Sequence, residues 1–474
     1  MRALAVSVLS LLLAAPIKAL EIDLSSKSTD LETTASIKDA ASTIAYGLVK
    51  YYNGNLTGGI PGLLPGPYYW WEAGGMFGHL IDYWYYTGDA TYNDIVMQGM
   101  MHQINAPAGD YLPRNQSNAM GNDDQGFWAV TSMMATEAAF PNPPSDTPQW
   151  LAGAQAVFNE YVIRWQEENG LCGGGLRWQV YSFLKGYDYK NSIANGCFFN
   201  VAARLARFTR NDTYAEWATK IYEWQEGIGL IGKNYEVYDG YNVLDDTKTC
   251  GHLHDVQFSY NAGIWLAGTA AMYDYTKKDI WRTHVDGLLN FTKGMFISQE
   301  GGHLWEPPCE KTARGCDQNQ VSFKGYVIRF LAFTAQMAPW TSDGIKTILQ
   351  QAAKDAAAAC IGPRNEKYQG ADGTACGFTW LEGKKYDGLA GVGPQMNALA
   401  AVFYNLLEDA KPPATSEDRG TSKGNPNAGS NVAQPLPEPR KLVTADRAGA
   451  AILTMLVAAG IVGGSLFLMS NLFD

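Results

Sequence analysis

Basic charge is scarce in this chain. Its 474 residues carry 36 Lys and Arg against 47 Asp and Glu, a formal net charge of −11. That balance excludes a nucleic-acid binder, which needs cationic surface to displace counterions from phosphates. Histidine is scarcer still, at 6 residues, and no Gly-x-Ser-x-Gly turn occurs, so a serine nucleophile or a histidine-held metal finds little support. His252 and His254, close to Cys250, match no zinc spacing and read as ordinary loop. Alternating runs of β-branched residues are nearly absent, which argues against a sheet protein. Only 18% of residues are charged while 46% are hydrophobic, so the chain can bury a large core and is no disordered acidic polymer. Aromatic residues, in contrast, reach 12%, with 14 Trp and 26 Tyr beside 50 Gly. Flat rings combined with tight turns suggest a lined groove.

Both termini read as targeting signals. Arg2 precedes an apolar run from Ala3 to Ala15, and Ala19 offers a cleavage point, so residues 1–19 are expected to be a secretory leader, too short to span a bilayer. Residues 448–474 are apolar for long enough to cross a membrane, yet only Asp474 follows Phe473, with no Lys or Arg to hold a cytoplasmic side. Upstream lies a polar stretch with small-residue triplets at Asn427-Ala428-Gly429 and Gly429-Ser430-Asn431. Triplet, spacer and apolar tail make the signal for a GPI anchor, the tail being removed; a retained single-pass helix is the alternative. Residues 411–447 are then a polar linker with the attachment region. Acceptor sequons at Asn55, Asn115, Asn211 and Asn290 fit secretion. All 7 cysteines fall between Cys172 and Cys376, and an odd count leaves at least one unpaired. Proximity favours Cys309 with Cys316 and Cys360 with Cys376, and connectivity otherwise stays open.

Between these ends, apolar residues recur three and four apart. Amphipathic segments begin near Ser36, Thr91, Gln149, Asp212, Lys278 and Ser342. Alternating with them are segments richer in Gly, Ala and aromatics, beginning near Glu72, Asp124, Ile193, Gln257, Val321 and Val392. A helical hairpin repeated six times follows, with the more apolar set buried inside the amphipathic one. The expected fold is all-α, an (α/α)6 barrel forming a single catalytic domain over residues 20–410. The loops entering the inner set, at 58–71, 110–123, 170–191, 239–256, 301–320 and 362–391, are long, Gly-rich and polar. They crowd one mouth of the toroid, where loops on a rigid scaffold carry function. Aromatic faces with scattered amides and carboxylates there suit a carbohydrate.

The sharpest local feature is Gly121-Asn-Asp-Asp-Gln-Gly-Phe-Trp128, where an inner helix begins. Glycoside hydrolysis needs two carboxyls, one to protonate the leaving oxygen and one to attack the sugar or activate water. Adjacent acids at a helix start can sit about 5 Å apart, the separation of retaining enzymes. Each raises the other's pKa, while the helix N-terminus favours ionisation of one, which yields an acid and a nucleophile at the same pH. An Asp at a helix start is also a common cap. Asp245-Asp246, the same dipeptide inside a loop, reads as turn or surface.

Several longer motifs resemble a known family. Ile60-Pro-Gly-Leu-Leu-Pro-Gly-Pro-Tyr-Tyr-Trp-Trp-Glu-Ala-Gly74, Leu80-Ile-Asp-Tyr-Trp-Tyr-Tyr-Thr-Gly-Asp89, the Asp123-Asp124 segment, Gly175-Leu-Arg-Trp-Gln179, Asn195-Gly-Cys-Phe-Phe-Asn200 and Gln257-Phe-Ser-Tyr-Asn-Ala-Gly263 are similar to fungal GPI-anchored members of glycoside hydrolase family 76, of the mannan endo-1,6-α-mannosidase type. The resemblance spans about Ala45 to Leu407. It implies an (α/α)6 barrel and a retaining mechanism, with Asp123 as nucleophile and Asp124 as general acid/base. Motif position and loop geometry together place Trp71, Asp82, Trp84, Asn122, Gln125, Arg177, Asp188, Asn195, Gln257 and Tyr260 in the substrate cleft. The implied substrate is the α-1,6-linked mannose of the GPI core glycan or of mannan, with cell-wall β-glucan as acceptor in a transfer that cross-links GPI proteins to the wall. Neither cofactor nor metal is expected, and the chain should act as a monomer tied to the membrane by its anchor. A non-catalytic mannan-binding wall lectin is the competing reading.

Overall fold

The structure is a computed structural model that describes residues 20, 22, 24, 31–168, 170–244, 249–312, 315–381, 386–430 and 444–470. The expected leader lies outside these residues, as do 431–443 of the expected linker. Two compact units are present, residues 1–430 and residues 431–474.

The first unit is the helical toroid. Its outer helices are α1 (Leu31–Val49), α3 (Asn93–Gln103), α5 (Trp150–Glu167), α7 (Asp212–Gly227), α9 (Asp279–Phe296) and α11 (Ser342–Ala359). The inner helices are α2 (Trp70–Thr87), α4 (Asn122–Glu137), α6 (Ser192–Thr209), α8 (Ser259–Thr276), α10 (Phe323–Met337) and α12 (Val392–Phe403). Each inner helix packs on the next, α2 on α4, α4 on α6, and so on to α12, which returns to α2 and closes the ring. The two sets differ as their sequences require. In α8 every residue from Asn261 to Met272 is buried, whereas α9 buries only one stripe, including Trp281, Val285, Leu288 and Phe296. Glycine lets the inner helices approach. A Cβ on Gly126 would meet Cys197 at 2.5 Å, and one on Gly75 would overlap the Tyr326 hydroxyl.

Small strands elaborate the mouth. Strands β1 (Tyr189–Asn191), β2 (Gly240–Val243) and β3 (Cys250–His254) form one antiparallel sheet in that order, and β4 (Cys360–Gly362) pairs with β5 (Ala375–Cys376). Disulfides join Cys172 to Cys250, Cys309 to Cys316 and Cys360 to Cys376. Cys197 is unpaired and buried in α6.

The body does not stop at residue 410, after which the sequence suggests a linker. Residues 411–430 lie along the barrel as a strap. Arg207 donates to the carbonyls of Pro413 and Ala414, Ala414 N–H donates to Glu137 O at 2.8 Å, and Asn159 donates to the carbonyls of Pro426 and Ala428. Backbone contact, rather than apolar burial, holds this polar stretch, so hydropathy does not reveal it. The second unit contains α13 (Thr444–Ser470), in which Arg447–Ser465 is long and apolar enough to cross a membrane.

Candidate active site

The N-terminal ends of the inner helices surround an open cavity of about 580 Å³. Asp123 and Asp124 form its acidic centre, in the first turn of α4. Two clamps set that turn. Loop 170–191 pairs with the residues leading into the helix, through Asn122 N–H to Trp178 O at 2.7 Å and Val180 N–H to Met120 O at 3.0 Å. Behind it, Arg164 donates to Asn122 Oδ1 at 2.7 Å, Gln125 Oε1 at 2.6 Å and Glu160 Oε2 at 2.7 Å. Charge-assisted bonds of this kind are the strong ones, and here they fix the helix start from its buried side.

The two carboxyls differ in their donors. Asp123 accepts on both oxygens, from the Trp178 indole N–H at 2.9 Å and from the Asp124 backbone N–H at 3.1 Å. Asp124 accepts the Gly121 N–H on Oδ2 at 2.6 Å, which leaves Oδ1 to hold a proton. Burial raises the pKa of both, and the negative charge of Asp123 raises Asp124 further. The donors to Asp123 favour its charged form, and the charge of Asp123 pushes Asp124 towards its protonated form. Gly121 is required between them: a Cβ there would meet Asp124 Oδ2 at 2.6 Å and overlap Asp123 Oδ1. Both oxygens converge on that bare Cα.

Aromatic rings make the rest of the wall. Tyr260 and Phe323 stack with centroids 3.7 Å apart and planes 5° from parallel, and Phe127 lies parallel to Tyr260 at 6.5 Å. Trp71 continues the row, 4.6 Å from Phe127, with its indole N–H on Asn319 Oδ1. A third carboxylate, Asp239, also lines the cavity, accepting from the Tyr189 hydroxyl at 2.7 Å and Asn261 at 3.3 Å. Its pKa is raised by burial.

Of the residues that the sequence suggests for the cleft, Asp123, Asp124, Trp71 and Tyr260 line this cavity. Asn122 and Gln125 are buried one layer behind, spent on Arg164, Arg177 O and Asp110 O. Asn195 is also buried; it bonds Leu176 N–H and O and Asn191 O, so it shapes loop 170–191 from beneath. Arg177 turns to the reverse side of that loop, bonding Glu168 at 2.7 Å and stacking on Tyr187. The Asp188 side chain is exposed, and Gln257 is half-buried beside Phe258; neither lines the cavity.

Asp82 and Trp84 are corrections of a different size. They lie 12 and 14 residues beyond Trp70 on α2, which puts them about 18–21 Å along the axis, at the far end of the barrel. There Asp82 meets the Tyr404 hydroxyl and Arg329 Nε at 3.4 Å, beside a cavity of about 40 Å³ also lined by Glu137 and Arg204. Trp84 packs edge-on against Phe140 at 5.3 Å. A motif that is contiguous in sequence runs the length of a helix, so its two ends serve opposite faces of the toroid. Asp239, Asn319 and Phe323, lining residues that sequence inspection does not single out, stand at loop ends or helix starts outside the quoted motifs.

The residues from 36 to 417 match the model of glycosyl hydrolase family 76. Among similar curated proteins, the mannan endo-1,6-alpha-mannosidase DCW1 of Saccharomyces cerevisiae is 42% identical over 93% of this chain and 94% of its own. The mannan endo-1,6-alpha-mannosidase DFG5 of the same yeast is 38% identical over 93% and 94%. In structure, Dfg5 from Chaetomium thermophilum in complex with glucosamine covers 84% of this chain and 97% of its own, at 44% identity and a TM-score of 0.78. The GH76A alpha-1,6-mannanase from Salegentibacter sp. HEL1_6 shares the fold at 16% identity, with a TM-score of 0.60 over 78% and 99% of the two chains. An (α/α)6 barrel with paired acids at its aromatic mouth, matched to one family model over most of its length, makes this chain a glycosidase belonging to glycosyl hydrolase family 76.

Proposed function

We propose that the protein is a retaining endo-α-1,6-mannosidase and transglycosylase acting on the α-1,6-mannose of the GPI core glycan or of mannan. The observation that carries this reading is the unequal pair, Asp123 with two donors and Asp124 with one, set in an open aromatic cavity. Asp123 attacks the anomeric carbon as the bond from C1 to the leaving oxygen breaks, and the Asp124 proton passes to that oxygen. The product is a mannosyl ester on Asp123. Asp124, now ionised, takes a proton from an incoming hydroxyl whose oxygen attacks C1, and Asp123 is released as carboxylate. Water as acceptor gives hydrolysis, and a β-glucan hydroxyl gives transfer, which would join a GPI-linked protein to the wall.

The relatives' names support the mannoside. Glucosamine in the Chaetomium Dfg5 complex supports the GPI core, whose amino sugar is cationic; Asp239 and Asp317 add negative charge to this cavity, which favours such a group. Anchoring of the enzyme itself at the cell surface accords with the membrane-length span of α13. The test is product analysis of a defined GPI-core oligosaccharide with and without a laminarin-type acceptor. Asp123→Asn and Asp124→Asn should each abolish turnover while circular dichroism stays native. Full turnover in both variants refutes the assignment, and wild-type release of free mannoside alone, at any acceptor concentration, refutes transfer.

A further inference from the structure

Three rings of the cavity wall, Trp71, Tyr260 and Phe323, come from three different helices, yet one loop touches each of these rings or its neighbour in sequence. Tyr260 and Phe323 are each adjacent in sequence to a polar residue with no exposed surface, Ser259 and Lys324. Ser259 donates through its N–H to Glu306 Oε2 at 3.3 Å and through its hydroxyl to Glu306 Oε1. Lys324 Nζ donates to Glu310 Oε1 at 3.0 Å and to Phe378 O at 2.8 Å. Glu306 N–H in turn donates to Glu310 Oε2 at 2.9 Å. A continuous buried chain therefore runs from the start of α8 to the start of α10, directly behind the Tyr260–Phe323 stack. The same loop, pinched by the Cys309–Cys316 disulfide, ends on the third helix: Gln318 donates to Glu72 at 2.9 Å and Asn319 accepts from Trp71 at 3.1 Å.

A buried ionic chain is a poor way to stabilise a fold, because desolvation of the charges offsets most of their attraction; what it fixes is geometry. Apolar side chains behind the wall would let α8 and α10 slide against each other by fractions of an ångström. Glu306, whose carboxylate accepts from Ser259 and whose backbone N–H donates to Glu310 and through it reaches Lys324, permits one spacing. Stacking on a sugar ring is sensitive to that spacing, because a rigid ring pair presents a flat face only when the planes stay aligned.

We propose that loop 301–320 sets the spacing and tilt of the sugar-binding wall, with Glu306 and Glu310 as positioning residues that hold Tyr260 and Phe323 through Ser259 and Lys324. This rests on the mouth being a saccharide cleft, and deepens that reading by naming what aligns its wall. Neither glutamate touches substrate. The test uses Ser259→Ala, Glu306→Ala, Glu306→Gln and the double variant Cys309→Ser/Cys316→Ser in the full chain. Affinity for α-1,6-mannotetraose is measured by calorimetry in an Asp124→Asn background, so that it needs no turnover, and kcat and KM are measured with Asp124 intact.

Ser259→Ala and Glu306→Ala should weaken binding and raise KM about tenfold with kcat changed less than about threefold, the pattern of lost uniform binding. Glu306→Gln, which keeps an acceptor for the Ser259 N–H, should recover most of the loss. The double cysteine variant, with every buried charge in place, should shift binding in the same direction. Unchanged affinity and KM in folded Ser259→Ala and double-cysteine variants overturns the proposal, whatever their thermal stability, and so does an equal fall of kcat without change in KM. Failure of the glycosidase reading is seen separately, as turnover that survives Asp123→Asn.

Discussion

Among the described residues, the indole N–H of Trp178 is the one side-chain donor that distinguishes Asp123 from Asp124, and removing it alone probes the division of roles. Trp178→Phe keeps an aromatic ring against Tyr189 and leaves the backbone bonds of residue 178 to Asn122 and Tyr189 in place. It deletes the 2.9 Å bond to Asp123 Oδ2. A hydrogen bond to a charged acceptor contributes about 1.5–3 kcal/mol. At about 1.36 kcal/mol per pKa unit, the loss should raise the pKa of Asp123 by about 1–2 units. The sign is fixed: the donor stabilises the ionised form, so without it the carboxylate is reached only at higher pH. The nucleophile must be ionised, and its ionisation forms the acid limb of kcat/KM against pH. That limb should move up by about 1–2 pH units, so that activity on its lower part falls roughly 10- to 100-fold while the plateau changes little. The assay is kcat/KM for an α-1,6-mannooligosaccharide from pH 3 to 9 in wild type and variant, with folding checked by circular dichroism. An acid limb that stays in place, or moves down, refutes Asp123 as the ionised partner; a shift confined to the basic limb would exchange the two roles.

Three other changes read different parts of the molecule. Gly121→Ala sets a methyl group on the point where the two carboxyl oxygens converge, at a backbone conformation open to any residue, so kcat should fall about 100-fold with little loss of stability; steady-state kinetics that match wild type would show the pair to be arranged otherwise. Asp82→Ala strands the buried Arg329 at the far end of the barrel and should cost about 3 kcal/mol in urea unfolding, with kcat/KM per folded molecule within about twofold of wild type; a selective loss of kcat/KM would return Asp82 to the cleft. A chain ending at Ser430 should unfold like the parent. One ending at Ala410, which removes two acceptors of Arg207, the carbonyls of Pro413 and Ala414, and the donors to Glu137 O and Phe208 O, should lose about 2–4 kcal/mol on the same assay. Equal stability of the two would reduce the strap to a passive tether.

The helices were legible because their signal is local. Of the twelve starts read from the sequence, eleven fall within two residues of the observed ones, from Asp212 and Ser342 at no offset to Thr91 against Asn93. The exception is α1, which begins at Leu31 instead of near Ser36, because Leu31-Glu-Thr-Thr has no periodic apolar face to announce it. The acid pair was legible for the same reason, since adjacent side chains at a helix start stay together wherever the helix goes. Cleft residues inferred from motif position were less so. Asn122, Gln125 and Asn195 share their motifs with the lining but point into hydrogen bonds behind it, and a helix presents a new direction every 100°.

Sequence alone determined the alternation of apolar and amphipathic helices, and with it the toroid, because burying six nearly all-apolar helices inside six one-sided ones is the packing that leaves little of either face misplaced. Tertiary structure decided that the two neighbouring acids differ in their donors, since Trp178 reaches Asp123 from 55 residues away. It also decided that Asp82 belongs to the opposite end from Trp71, that Asp239 joins the cavity from just before the middle strand of a small sheet, and that residues 411–430 belong to the body. These are contacts between segments far apart in the chain, set by distance in space and by the direction of single bonds, and no local pattern of residues encodes either.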